Sequence, residues 1–235
     1  MFFKISGLNK NWNGFSLKEV SLGIEEGQYF ALLGPCGAGK TLLLNAIAGL
    51  YRVDSGSIFI QDTDITFLAA GKRNMGYLFQ KDALFPHLSV KENIYYGLKY
   101  RKPDKKYLDA IFQLLDIGAL LGRRDTINLS GGEARKVALA RSLAVKPRLL
   151  LLDEPLSFLD PISQEKVMQS LKSLNQQIGL TIIHVTHDVR EIKSIAGNVA
   201  ILFAGAIAQV GTVEQVLSQP LDFLKEKFWG CQYYV

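Results

Sequence analysis

Residues 28–33 form a short apolar run that breaks into GPCGAGKT at residues 34–41. Leu42, Leu43, Ala46, Ile47 and Leu50 then recur at helical spacing. Strand, glycine loop and helix in that order are the setting in which Gly, four free positions and Gly-Lys-Thr wrap a chain of phosphates. The chemistry explains the spacing. Gly37 and Gly39 let backbone N–H groups turn inward around phosphate oxygens, where a side chain would crowd them. Lys40 is placed to neutralise the β and γ phosphates, Thr41 offers a hydroxyl to magnesium, and the following helix aims its positive end at the anion. Gly34, Pro35, Cys36, Gly37, Ala38, Gly39, Lys40, Thr41 and Leu42 are therefore a candidate cradle for a nucleoside triphosphate. A chance Gly-rich turn is the competing reading, and the flanking strand and helix disfavour it.

A second segment, LLLLDE at residues 149–154, supplies two acids. Four bare leucines read as a strand buried on both faces. Asp153, at the end of such a strand beside the phosphate loop, is placed to hold magnesium directly or through water. Glu154 is placed to orient and activate an attacking water as general base. A DE pair alone would read as a solvated strand edge; the leucines before it and the loop upstream favour the functional reading.

Elsewhere, residues 2–9 and 16–24 read as strands around an Asn/Gly-rich turn at residues 11–14. Strands are expected at 57–60, 75–79 and 181–185, and a closing hairpin at 200–210 broken at Ala204-Gly205. Residues 90–144 read as mainly helical, with Leu108, Ile111, Phe112 and Leu115 on one face and Val137, Leu139, Ala140 and Leu143 on another. Val167, Leu171, Leu174 and Ile178 mark a further helix. Alternating strands and helices predict an α/β fold with a largely parallel central sheet. With no repeat or linker, residues 1–235 read as one domain. The net charge of +5 is too small to argue for nucleic acid, and no base-reading motif is present. Cys36 and Cys231 give no disulfide framework or metal spacing. The most membrane-like run, residues 199–208, falls far short of the ~20 apolar residues a spanning helix needs.

LSGGE at residues 129–133 lies between the phosphate loop and the two acids. Ser130 is a natural helix cap, and Gly131 and Gly132 permit close backbone approach to phosphate. As a structural motif it is simply the capped start of a helix over 133–144. With the loop, LSGGE and LLLLDE in this order, the chain resembles the ATP-binding cassette family over nearly its whole length. That resemblance implies ATP with Mg2+ as ligands and a P-loop NTPase (RecA-like) core. It also implies an antiparallel β subdomain toward the N terminus and an inserted helical subdomain at about residues 83–144. It further implies that Ser130, Gly131, Gly132 and Glu133 close over nucleotide held by a second copy of the protein. Gln80, in YLFQKDALFPHLSV, matches the family glutamine that reaches the metal and attacking water. His187 in HVTHD matches the histidine that contacts the γ-phosphate. Residues 156–160, LSFLD, resemble the loop that crosses the dimer interface. Trp12 falls where an aromatic stacks on adenine, with Phe15 a rival for that place.

Taken singly, Gln80 would be a surface amide and Trp12 a core or turn aromatic. His184 reads as structural, because strand alternation puts Ile183 and Val185 on the opposite face. Four positions depart from the commonest family pattern: Glu133 for Gln, Ala134-Arg135-Lys136 for the usual segment ending in Gln-Arg, Leu42 for a second hydroxyl, and Phe158 for a small residue. A GTPase is disfavoured, since Asn9-Lys10 precedes the loop and Trp12 occupies the Asp place of a guanine motif.

Within the family, residues 82–98 resemble the segment by which importer ATPases receive their membrane partners. The phosphate-loop region and the turn between Trp12 and Phe15 resemble molybdate/tungstate importers, with sulfate, ferric-iron and polyamine importers as near relatives. The implied partners are integral membrane permease subunits and, indirectly, an extracytoplasmic solute-binding protein, with the chain peripheral on the cytoplasmic face of the membrane. No C-terminal regulatory domain is expected after the 223–228 segment. A soluble cassette protein without a transporter, or an interaction module with a degenerate ATPase, fits less well.

Overall fold

The computed structural model describes residues 1–99 and 102–219; the 223–228 segment and Cys231 lie outside them. Strands β1 (Phe3–Trp12), β2 (Phe15–Ile24), β4 (Ser55–Ile60) and β5 (Thr63–Asp64) make an antiparallel sheet in the order β2-β1-β4-β5. A second sheet holds β3 (Tyr29–Leu33), β6 (Met75–Leu78), β7 (Leu149–Asp153), β8 (Thr181–Thr186), β9 (Asn198–Phe203) and β10 (Ala206–Thr212). Its order is β10-β9-β3-β8-β7-β6, parallel throughout except for β10 at one edge. The largely parallel central sheet expected from the sequence is present.

The inner strands of that sheet, β3, β7, β8 and β9, are buried on both faces, which is why they are largely apolar. Leu149 and Leu151 face a core shared with the antiparallel sheet and with helix α1 (Lys40–Ala48). Leu150 and Leu152 face the opposite core. There they meet helices α2 (Val90–Tyr95), α3 (Lys105–Leu114), α4 (Gly131–Ala144) and α5 (Pro161–Ile178). The expected apolar faces are the ones that pack: Leu108, Ile111 and Leu115, then Val137, Leu139, Ala140 and Leu143, then Val167, Leu171 and Leu174 are all buried. Helices α6 (Val189–Ile195) and α7 (Val213–Ser218) cover a smaller third cluster with Ala31, Leu33, Val199 and Ile201.

Two local expectations change. The first turn is tighter than residues 11–14, because β1 continues to Trp12, which pairs directly with Phe15 across a two-residue Asn13-Gly14 hairpin loop. Asp54 holds this extension, accepting from Lys10 Nζ at 2.6 Å and from the Asn11 amide at 2.7 Å. In α1, Leu43, Ala46 and Ile47 are buried with Leu44, but Leu50 is 48% exposed. Gly49, at φ +78°, ends the helix before Leu50 can join its face. The closing hairpin turns at Ala204-Gly205 as expected. Gly205 is required there, because a Cβ would sit 1.9 Å from the Ser16 carbonyl oxygen.

The topology positions the site. The loop after β3, the residue after β7, the residue after β8 and the second residue after β6 all emerge at carboxyl ends of neighbouring parallel strands. That is the end at which open α/β sheets bind ligands.

Candidate functional site

The loop between β3 and α1 is shaped by its glycines. Gly34 passes so close to the edge of β9 that a Cβ would lie 2.4 Å from the Leu202 carbonyl oxygen. Gly37, at φ +79°, has open space where a Cβ would be, as a cradle that backbone N–H groups line requires. Gly39 caps α1 at φ +100° with the Phe15 ring packed against it. Around this loop lies a cavity of about 450 Å³ lined by Phe15, residues 36–42, Gln80 and Glu154. The structure thus brings Cys36, Gly37, Ala38, Gly39, Lys40, Thr41 and Leu42 to one surface with Gln80 and Glu154.

Lys40 is buried, with its ammonium donating to the carbonyls of Gly34 at 2.7 Å and Pro35 at 3.1 Å. Glu154 Oε1 lies 3.9 Å away. Burial lowers the Lys40 pKa from its ordinary value, and the Glu154 charge opposes that shift. Thr41 Oγ1 donates to Asp153 Oδ1 at 3.1 Å. Asp153 is 2% exposed, and burial raises its pKa against the pull of the Thr41 hydroxyl. A hydroxyl and a carboxylate oxygen side by side form a hard donor set that suits Mg2+, a cation usually held by one or two carboxylates together with substrate phosphates. Among the described residues no cluster of His, Cys, Asp and Glu forms a self-sufficient metal cage.

Glu154 adopts a left-handed backbone, φ +49°, with its amide bonded to the Val185 carbonyl at 2.9 Å. A non-glycine residue held there stores strain, and such residues cluster at functional sites. Its carboxylate meets His187 Nδ1 at 2.9 Å. A carboxylate that accepts from an Nδ1–H leaves the Nε2 of the same ring to another partner. His184 is part of the scaffold, as alternation implied. It is fully buried, with Nδ1 2.9 Å from the Tyr29 hydroxyl and Nε2 3.1 Å from Glu191.

Ser130, Gly131, Gly132 and Glu133 are not in the lining of that cavity. They form the start of α4 through a capping box: the Glu133 amide donates to Ser130 Oγ at 3.3 Å, and the Ser130 amide donates to Glu133 Oε2 at 2.8 Å. Gly132 has a packing reason as well, since a Cβ would meet Ser163 Oγ at 2.7 Å. Trp12 also lies outside the lining. Its ring sits edge-on to Tyr51, with centroids 5.7 Å apart, beneath the Lys10 ammonium. Phe15, its cross-strand partner, is the aromatic that reaches the loop. Phe158 is 87% exposed at φ +64°.

Sequence reasoning missed what holds Gln80. Arg135 is 2% exposed and donates to the carbonyls of Phe79 at 2.8 Å and Gln80 at 2.9 Å. It stood out in the sequence only as a departure from a familiar pattern. A charged residue within an otherwise apolar helix face was the signal available.

Comparison with known proteins decides the family. A model described as "ABC transporter" matches residues 17–157. The chain belongs to the ATP-binding cassette (ABC) transporter family. This ABC cassette is 41% identical over 236 residues to the molybdate/tungstate import ATP-binding protein of Thermococcus kodakarensis, covering 99% of this chain and 71% of that one. It is 42% identical over 220 residues to the sulfate/thiosulfate import ATP-binding protein of Synechocystis sp., covering 92% of this chain and 62% of that one. Its fold matches a dimeric ATP-binding cassette in a post-hydrolysis state bound to ADP and Pi. There the TM-score is 0.78 at 29% identity, over 90% of this chain and 98% of the other. The cassette is an ATPase whose hydrolysis is coupled to transport. Among its described residues no helix is long and apolar enough to cross a membrane.

Proposed function

We propose that this cassette is the ATP-hydrolysing subunit of an importer of molybdate or tungstate. The observation that carries the catalytic part is the meeting of Lys40, Glu154 and His187 at the ends of β3, β7 and β8, with Glu154 within 2.9 Å of His187 and 3.9 Å of Lys40. The whole chain, residues 1–235, is read as one nucleotide-binding domain with its helical subdomain at about residues 83–144.

The N–H groups of residues 37–41 and the Lys40 ammonium bind the β and γ phosphates. Thr41 and Asp153, with Gln80, would hold Mg2+, which would supply charge to draw electron density from the phosphoryl oxygens. Glu154 accepts the proton of the attacking water, and His187 fixes the orientation of that carboxylate. Trp12 stacks on adenine, because it shares a hairpin face with Phe15 at the cavity's edge. Ser130, Gly131, Gly132 and Glu133 face the nucleotide of a second copy, which fits their exclusion from the cavity of their own chain. ATP thus favours the closed dimer, and loss of the γ-phosphate removes that differential contact.

The segment at residues 82–98 is read as the seat of permease subunits, with an extracytoplasmic solute-binding protein acting through them and the cassette peripheral on the cytoplasmic face. Sulfate is the second reading for the solute, favoured by a 42% identical sulfate/thiosulfate relative. The test is ATPase activity of the cassette in proteoliposomes with its copurifying membrane and solute-binding partners. Stimulation by micromolar molybdate or tungstate supports the proposal. Stimulation by sulfate or spermidine alone overturns the solute assignment.

A further inference from the structure

Gln80 lies two residues beyond the end of β6, so the sheet itself no longer fixes it. What does is the helix that begins at Ser130. Arg135, one turn into α4, lays one guanidinium nitrogen on the Phe79 carbonyl and another on the Gln80 carbonyl, at 2.8 and 2.9 Å. Arg141, further along the helix, repeats the contact with Ala83 at 2.7 Å and Asp82 at 2.8 Å. Two planar forks thus hang four carbonyls of residues 79–83 from α4. A guanidinium suits this role because its donors diverge in one rigid plane, which a lysine ammonium cannot reproduce.

The charge at Arg135 is costly where it lies. Its side chain is 3% exposed, and its countercharge, Asp82, is 3.2 Å away. Buried pairs of this kind are poor stabilisers compared with apolar packing, and their best-attested benefit is a defined geometry. Here that geometry ends at one site residue.

We propose that Arg135 is a positioning residue for Gln80, tying it to α4 so that Gln80 and Ser130 move as one body relative to the phosphate loop. This extends the site reading above and rests on Gln80 acting there. Whatever brings α4 toward nucleotide then also sets Gln80, and the departure at Ala134-Arg135-Lys136 becomes a coupling device.

The test is a double-mutant cycle on the 235-residue chain, reading kcat and KM for Mg-ATP together with melting temperature. Arg135→Lys keeps the charge beside Asp82 but cannot span both carbonyls. It is expected to lower kcat about tenfold, with KM within about twofold, and to lower the melting temperature by several degrees equally in the native and Gln80→Ala backgrounds. In a Gln80→Ala background the same change is expected to alter kcat less than about twofold. An equal loss of kcat in both backgrounds, or no loss of kcat in the native background, overturns the proposal. A Gln80→Ala chain with native kcat overturns the reading of Gln80 itself, a different outcome. Should Arg135→Lys fail to fold, Arg135→Gln, which removes the buried charge, is judged by the same cycle.

Discussion

His187 Nδ1 lies 2.9 Å from both carboxylate oxygens of Glu154, joining the residue after β8 to the residue after β7. The contact fixes the direction of a carboxylate whose backbone is already held in a left-handed conformation. His187→Ala is therefore expected to lower kcat about 10- to 100-fold. The histidine side chain is 56% exposed, so the melting temperature should move by no more than about 2 °C. Steady-state ATPase assays and calorimetry check both. Native turnover in this variant would remove His187 from the mechanism.

Trp12 and Phe15 face each other across the hairpin but have different neighbours, Tyr51 for the first and Gly39 for the second. Their substitutions should differ accordingly. On the proposed stacking, Trp12→Ala removes about 1–3 kcal/mol and should raise the nucleotide Kd about 5- to 150-fold with little change in kcat. Phe15→Ala removes the ring beneath the phosphate loop and should change kcat and KM together. Titration with a fluorescent ATP analogue, beside steady-state kinetics, separates the two.

Thr41 and Asp153 share a hydrogen bond on the floor of the site. Asp153→Asn should raise the Mg2+ concentration needed for half-maximal activity by about tenfold or more, as removing a charged ligand does. Nucleotide affinity measured in EDTA should barely change. An unaltered magnesium dependence would contradict the assignment.

Much of this site was legible in the sequence because its chemistry is local. Gly34 to Thr41 and Asp153-Glu154 each carry their meaning in consecutive residues, and each lands at the carboxyl end of a parallel strand as expected. The turn at Trp12 was misjudged because Asp54, far along the chain, extends β1 through the Asn11 amide. The contacts of Arg135 were missed for the same reason, since a lone charge on an apolar helix face does not name its partners. Its partners, Phe79 and Gln80, are 56 and 55 residues away, and only packing brings them together.

Stability should fall on the acid side. Hydrogen bonds from the Lys10 side chain hold the Asp54 carboxyl below its ordinary pKa; those from Ser89 do so for Glu92, and the Ser130 amide does so for Glu133. A depressed folded-state pKa contributes stability above the unfolded value, about 4, and that contribution is lost as pH falls through the folded value. Burial raises Asp82 and Asp153, which works the other way as pH falls toward 4. The expected melting temperature is thus nearly flat from pH 7 to about 5 and falls modestly below about 4. Calorimetry across that range checks it, and a chain more stable at pH 3 than at pH 6 would contradict the sign.

The central claim is that ATP is bound between Lys40 of one copy and Ser130 of another, with Glu154 as the base. Light scattering of Glu154→Gln with ATP and Mg2+ tests it most directly. The account predicts a dimer of the 26.1 kDa chain with two occluded ATP molecules, which ADP in place of ATP does not support. A chain that binds ATP yet stays monomeric at every concentration, or that turns ATP over at the native rate, would contradict it.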